Sequence, residues 1–232
     1  MDDTLHQSCS WTFPDPALAD RDGLLAMGGD LEPDTLLTAY SQGIFPWYSD
    51  DSPVLWWCPD PRMVLFPDRL KVSKSLGQSI RNKGYRVLFD SDFASVIRHC
   101  ARVPRMNQHG TWITSEMENA YVRLHREGFA HSAETYLDGK LAGGLYGVSL
   151  GGIFFGESMF RDERDASKVA LYHLVQLLKE WQFDLIDVQQ STAHMRRLGA
   201  EELPRSTFLD LLHESLRKPT RRGKWKDVSR ES

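Results

Sequence analysis

An α+β fold follows from three features of the chain: a turn-rich opening segment, a run of three alternating strands, and a long amphipathic helix leading into a further strand. The expected architecture is a largely antiparallel sheet flanked by helices. It divides into a small N-terminal lobe over residues 1–62, a main domain over 63–216 and a basic, flexible tail over 217–232. Strands that follow one another in sequence, with helices packed on them, make the layer arrangement such an order favours.

The opening segment carries "FPDP", "MGGDLEPD" and "CPDPR", with Gly, Pro and Asp at turn spacing. Between them "EPDTLLTAYSQGIF" reads as a short helix, with Pro33 in its first turn and Gly43 past its end. The stretch "GIFPWYSDDSPVLWWCPDPR", residues 43–62, sets Phe45, Trp47, Tyr48, Trp56 and Trp57 among prolines. Proline removes a backbone donor and fixes φ, so much of this stretch should be loop. Large rings in a loop must be buried or must stack on something.

In the main domain "RMVLFP" and "YRVLFD" read as strands, and "KSLGQSIRNKG" and "DFASVIRHCARV" as helices. The loop "PRMNQHGTWI" then leads into the helix "TSEMENAYVRLHREG". Thr114 or Ser115 caps that helix, acidic residues fill its first turn and Gly128 closes it. "AHSAETYL", "KLAGGLYGVSL" and "GIFFGESMF" form a meander through Asp138-Gly139 and Gly151-Gly152 turns. The long helix "DASKVALYHLVQLLKEWQF" places Ala166, Val169, Ala170, Leu174, Leu177, Leu178 and Trp181 at helical spacing. The strand "FDLIDVQQ", the helix "STAHMRRLGAEEL" and a last helix from Ser206 to Leu216 complete the domain.

Composition narrows the class of protein. At 232 residues with 41% hydrophobic and 26% charged residues, the chain can fill an ordinary globular core. No run approaches the roughly 20 apolar residues of a membrane span. The polar, acidic start "MDDTLHQSCSW" has no signal-peptide pattern, so no membrane association and a cytoplasmic location are expected. Cys9, Cys58 and Cys100 are isolated and the histidines lack metal spacing, so no metal and no cofactor are called for. The net charge is -4, yet two basic patches stand out. Lys71, Lys74, Arg81, Lys83 and Arg86 lie in a stretch without an acid, and Arg217, Lys218, Arg221, Arg222, Lys224 and Lys226 surround Trp225 in the tail. Such clusters on an acidic protein are either solvated faces or a footprint for an anionic polymer.

Two strands carry acids where apolar residues are expected. In "FDLIDVQQ" alternation puts Phe183, Leu185, Asp187 and Gln189 on one face, with roughly 6.6 Å between successive same-face Cα atoms. A carboxylate facing inward needs a partner or incurs a desolvation cost. Asp187 therefore serves either a structural hydrogen bond or a reaction, by orienting an amide or accepting a proton. In "GGIFFGESMF", Glu157 sits among phenylalanines and beside the small residues Gly156 and Ser158. It is either paired inside or lining a pocket. His131 and His194 read as satisfied or surface residues.

The segments "GLLAMGGDL", "GIFPWYS", "LWWCPDPR", "GTWIT", "AHSAE", "GGLYGV", "GESMF", "DASK", "LIDVQ" and "LGAEELPR" occur in an order and spacing that resemble the leucyl/phenylalanyl-tRNA–protein transferase family. The resemblance implies a cytosolic bacterial enzyme that moves leucine, phenylalanine or, less readily, methionine from charged tRNA to proteins beginning with Arg or Lys. Those proteins are thereby marked for N-end-rule degradation. It also implies a main domain similar to the GCN5-related acetyltransferase fold.

Carried onto these motifs, the resemblance makes Asp187, Gln189 and Glu157 catalytic. Asp187 would polarise Gln189, which helps draw a proton from the acceptor amine, while Glu157 would hold the acceptor's cationic end. Trp47, Trp112 and Tyr121 would lie near the aminoacyl-adenosine, and Leu145 and Phe154 around the apolar aminoacyl side chain. The basic patch of Lys71, Lys74, Arg81, Lys83 and Arg86 matches the family only in being basic and on its charge would touch tRNA, while Trp56 and Trp57 are expected to pack the lobes together. Two rivals remain: a CoA-dependent N-acyltransferase, which would want a Gly-rich pyrophosphate loop where this chain has "FRDERDASK", and a non-catalytic RNA-binding module.

Overall fold

The computed structural model describes residues 11–49, 51–103, 113–225 and 230–231. The chain first builds a small sheet from β1 (Leu24–Met27), α1 (Pro33–Ser41), β2 (Phe45–Pro46) and β3 (Leu55–Trp57), in strand order β1-β3-β2. The prolines confine β2 and β3 to two and three residues, and the rings they carry turn inward. α1 starts on Pro33, where a missing N–H has no helical partner to lose, and buries Leu36, Leu37, Ala39 and Tyr40.

The main sheet begins at β4 (Arg62–Leu65) and passes through α2 (Lys74–Asn82), β5 (Arg86–Phe89), α3 (Phe93–Arg102) and α4 (Ser115–Arg126). The meander β6 (Ala130–Leu137), β7 (Lys140–Leu150) and β8 (Ile153–Arg161) follows, then α5 (Ala166–Glu180) and β9 (Leu185–Gln189). α6 (Ala193–Arg197), β10 (Glu201–Leu203), α7 (Arg205–Ser215) and β11 (Arg230–Glu231) close the described chain. The strand order is β10-β4-β9-β8-β7-β6-β5-β11, and among the described strands only β8 and β9 pair in parallel. The parallel step needs a crossover, and α5 supplies it. The α+β expectation is met: a largely antiparallel sheet with helices on both faces.

Alternation in the strands sorts the core into two layers. On one face Val148, Ile153, Phe155 and Leu185 pack with α1, α3, α4 and α7, joining the small sheet to the large one. On the other Leu145, Phe154 and Ile186 pack with α2, α5 and α6. Thr114 caps α4 by accepting the Met117 N–H, as its sequence predicts. A polar replacement of Leu174 on α5, 1% exposed, would forfeit roughly 1.5–3 kcal/mol of burial and strand a polar group in the second layer.

Two expectations are corrected. "STAHMRRLGAEEL" is not one helix: α6 stops at Arg197, Gly199 turns the chain at φ 103, and Glu201–Leu203 pairs with β4 at the sheet edge. A side chain at Gly199 would meet the Arg69 carbonyl oxygen at 2.2 Å, so the turn needs glycine. The tail is not loose over its first part either, because Trp225 is inserted into the second core layer at 5% exposure.

Candidate active site

β8 and β9 start side by side, pairing Ile153 with Leu185, Phe154 with Ile186 and Phe155 with Asp187, and then part. Each strand carries a bulge where they separate. On β8 the register steps over Glu157, between Tyr146–Ser158 and Gly147–Gly156. On β9 it steps over Val188, between Val64–Asp187 and Met63–Gln189. A bulge bends its strand and re-aims nearby side chains. Gln189 is turned further, holding a left-handed φ of 60°, a conformation that costs a non-glycine residue about 1–3 kcal/mol unless its surroundings impose it.

A cavity of about 600 Å3 occupies the resulting gap. It reaches both core layers. Phe45, Pro46, Trp47 and Val103 line it on the side of the small sheet, and Leu145, Phe154, Met159, Leu171 and Leu174 on the side of α5. Glu157, Ser158 and Gln189 stand between, so an apolar chamber opens at a polar waist.

The waist is held by a chain of hydrogen bonds. Tyr40 donates its hydroxyl to Glu157 Oε1 at 2.7 Å and Tyr121 to Oε2 at 3.1 Å, and the two hydroxyls touch each other. Gln189 Nε2 donates to Glu157 Oε1 at 3.2 Å. Burial pushes the Glu157 carboxyl up to about 7, against the pull of the two tyrosine bonds; Asp187 adds to the rise and Arg62 opposes it. Both phenols are driven well above their usual range, first by burial and then by Glu157, so they stay neutral donors. The result is a half-buried carboxyl that changes charge near neutrality at the edge of a cavity, where a proton-transfer group is expected.

Asp187 and Arg62 lie beneath, both fully buried. Asp187 Oδ1 accepts from Arg62 Nε at 2.8 Å and Oδ2 from Nη2 at 2.7 Å. The guanidinium is wedged between the Phe45 and Phe208 rings, 4.9 and 4.5 Å from their centroids. Oδ1 also accepts the Gln189 main-chain N–H at 2.9 Å. The polarisation of the Gln189 amide by Asp187 is therefore replaced by a different link. Asp187 fixes the Gln189 backbone, and the amide turns to Glu157. Asp187 itself does not line the cavity.

Of the other expected residues, Trp47, Leu145 and Phe154 line the cavity. Tyr121 does not; it is fully buried under Glu157. Trp112 lies outside the described residues. Trp57 packs against Trp47, with centroids 5.5 Å apart, and donates its indole N–H to the Trp47 carbonyl, while Trp56 is buried and donates to Gly28 O. Lys71, Lys74, Arg81 and Arg86 are exposed on and around α2, and Lys83 donates to Arg164 O at 3.4 Å, which ties this patch to the corner before α5. The sequence reading missed Arg62 and Tyr40, whose partners are 125 and 117 residues away, and it missed His194, which lines the cavity. His194 is held below its ordinary range by burial and then by Lys168, Arg197 and Arg161. Its position next to "STA" after the polar strand was the available signal.

Among the described residues no helix is long and apolar enough to cross a membrane. The family model described as "Leucyl/phenylalanyl-tRNA protein transferase" matches residues 64–213, and that family's N-terminal domain matches residues 29–60. Curated relatives carrying the name leucyl/phenylalanyl-tRNA–protein transferase include one from Anaeromyxobacter sp. (strain Fw109-5), 59% identical over 92% of this chain and 91% of its own. One from Desulfatibacillum aliphaticivorans is 56% identical over the same shares, and one from Myxococcus xanthus (strain DK1622) is 54% identical. Among solved structures, a GCN5-related N-acetyltransferase from Kribbella flavida aligns at TM-score 0.40 and 10% identity, over 75% of this chain and 61% of that one. That likeness is too slight to bear on function.

Proposed function

The chain belongs to the leucyl/phenylalanyl-tRNA protein transferase family, and from this we infer that it is an aminoacyltransferase that moves an amino acid from tRNA to a protein. We propose leucine, phenylalanine and methionine as the donors, proteins beginning with Arg or Lys as the acceptors, and the cytoplasm as the setting. The supporting observation is the cavity in the β8–β9 gap, with an apolar chamber on one side and Glu157 with Gln189 at its mouth. The chamber suits an unbranched apolar side chain, and Trp47 at the other end offers a face for the terminal nucleoside, since base–aromatic stacking needs no particular sequence. The exposed cations of the α2 patch, Lys71, Lys74, Arg81 and Arg86, with half-buried Lys83 beside them, suit the tRNA backbone.

The aminoacyl ester is already activated, so the enzyme's task is to align a neutral amine and manage one proton. Glu157, ionised above about pH 7, takes a proton from the acceptor α-amine as the nitrogen bonds to the carbonyl carbon. It returns that proton to the ribose oxygen as the ester C–O bond breaks. Free α-amines titrate near about 8, close enough to the Glu157 value for efficient transfer in both directions. Gln189, Tyr40 and Tyr121 aim the carboxylate, and Asp187 with Arg62 holds Gln189 in its left-handed conformation. A CoA-dependent reading fits poorly. At the start of α5 the Asp165 carboxylate takes bonds from Ser79 and Lys168, and so occupies the place an anionic pyrophosphate would want.

The test mixes purified protein with radiolabelled Leu-tRNA and peptides beginning with Arg, Lys or Ala. Label should enter the first two and not the third; label in none of them would defeat this reading.

A further inference from the structure

The motif "AHSAE" and the basic C-terminal segment have no part in the transfer chemistry, and the structure brings them together. Trp225 stacks on the His131 ring, with centroids 3.7 Å apart and planes 7° from parallel, and meets Trp181 edge-on at 5.0 Å. Its main-chain N–H donates to Asp90 Oδ2 at 2.8 Å, the same oxygen that contacts His131 Nδ1 at 2.8 Å, while Asp90 Oδ1 accepts the Ser132 N–H. The approach is tight. Gly223 N–H donates to Gly128 O, and a Cβ on Gly128 would lie 2.3 Å from Gly223 N. Arg221 and Arg222 cover the Trp181 and Phe129 rings at 4.5 and 4.4 Å. These contacts form a latch that places one indole at a fixed depth.

Phe154 lies between that indole and the cavity. It lines the chamber, is 1% exposed, and has its centroid 6.1 Å from that of Trp225. Its ring fills the space left by the absent side chain of Gly147, where a Cβ would come within 2.6 Å of Phe154 Cε1. The backbone at Gly147 thus blocks one side of the ring, and the Trp225 indole backs it on another. Removing large buried side chains leaves voids into which neighbours relax partially.

We propose that Trp225 is a positioning residue for donor specificity: by backing Phe154, it sets the depth of the chamber that receives the aminoacyl side chain. This inference rests on the aminoacyl-transfer reading above. With the indole gone, Phe154 falls back, the chamber deepens, and a bulkier donor gains over a smaller one. Differences of one methylene in an apolar pocket shift selectivity by about tenfold or more.

The experiment uses the full chain with Leu-tRNA and Phe-tRNA offered separately to one Arg-initiated peptide. For Trp225→Ala the ratio of kcat/KM for phenylalanine over leucine should rise about tenfold. For Trp225→Phe, which keeps a ring behind Phe154, it should stay within about twofold of the parent. An equal loss on both donors would mark Trp225 as merely structural and overturn the inference. If Trp225→Ala does not fold, Trp225→Leu is measured the same way against Trp225→Phe, and an unchanged ratio is again decisive against it. A parent chain that transfers neither amino acid would overturn the transferase reading and this inference with it. A parent that transfers both, with variants of unaltered ratio, would overturn this inference alone.

Discussion

Removing the buried charges of Arg62 and Asp187 separates holding the fold from holding the reaction. Both side chains have no exposure and share two short bonds. Arg62→Met leaves a carboxylate without its counter-ion. Asp187→Asn sets an amide NH2 against Arg62 Nη2, donor to donor. Breaking a buried pair from one side costs about 3–5 kcal/mol, whereas replacing both members with apolar residues is commonly neutral or better. In Arg62→Met/Asp187→Leu the Met side chain lies between the Phe45 and Phe208 rings, contacts that suit a thioether. Urea unfolding should therefore show each single variant weakened by about 3–5 kcal/mol and the double variant restored close to the parent. Turnover should not recover. The double variant has no acceptor for the Gln189 N–H, so about 1–3 kcal/mol of unfavourable left-handed backbone is no longer imposed and the amide loses its aim at Glu157. That corresponds to a fall in kcat of about 5- to 150-fold in single-turnover transfer from saturating Leu-tRNA, with affinity for the tRNA little changed. A double variant with restored stability and a kcat within about twofold of the parent would show that Asp187 only scaffolds the strand, and the proposed chain from Asp187 to Glu157 would be wrong.

Four further outcomes follow from the structure. Glu157 accepts a proton only when ionised, so kcat should climb as pH rises through about 7. Glu157→Gln should lose about 100-fold or more in activity together with that limb of the profile, and an unaltered profile in the variant would exclude the role. Trp47→Ala should weaken aminoacyl-tRNA binding by about 1–3 kcal/mol in a filter-binding titration without lowering Tm, since Trp47 is only half-buried at the cavity. Trp56→Ala, at 2% exposure, should cost about 3–5 kcal/mol of stability. Fully buried Glu134 is pushed by burial from an ordinary 4.5 to about 7, despite bonds from Ser132, Asp92 and Ser91. The folded state therefore keeps a proton that the unfolded state releases. The associated stability is present below 4.5 and is lost as pH rises through about 7, a change of about 3 kcal/mol. Tm of Glu134→Gln relative to the parent should thus rise between pH 5 and pH 8; a constant difference would place the titration elsewhere.

Much of the fold was written locally. The Thr114 cap, the Asp138-Gly139 turn and the helical spacing of Leu174, Leu177 and Leu178 involve residues no more than a few positions apart, and each element they signal is present. Glu157, Asp187 and Gln189 were also visible, because acids and amides among phenylalanine, leucine and isoleucine stand out in any strand with alternating faces. Glu201–Leu203 has the local pattern of a helix because nothing near it reveals that β4 offers a free edge. Trp225 looked like part of a solvated tail because its partners, Asp90 and His131, lie about a hundred residues upstream.

Within the site, the sequence alone determined which residue types could do chemistry and which strands carry them. Tertiary structure decided how they are used: bulges at Glu157 and Val188 turned the side chains, Tyr40 and Tyr121 came under the carboxyl, and Arg62 took Asp187 away from the cavity. The division has a physical basis. Periodicity and capping are interactions over a few residues and leave a mark in the order of amino acids, whereas the charge state of a buried acid depends on whichever distant groups packing brings within hydrogen-bonding reach.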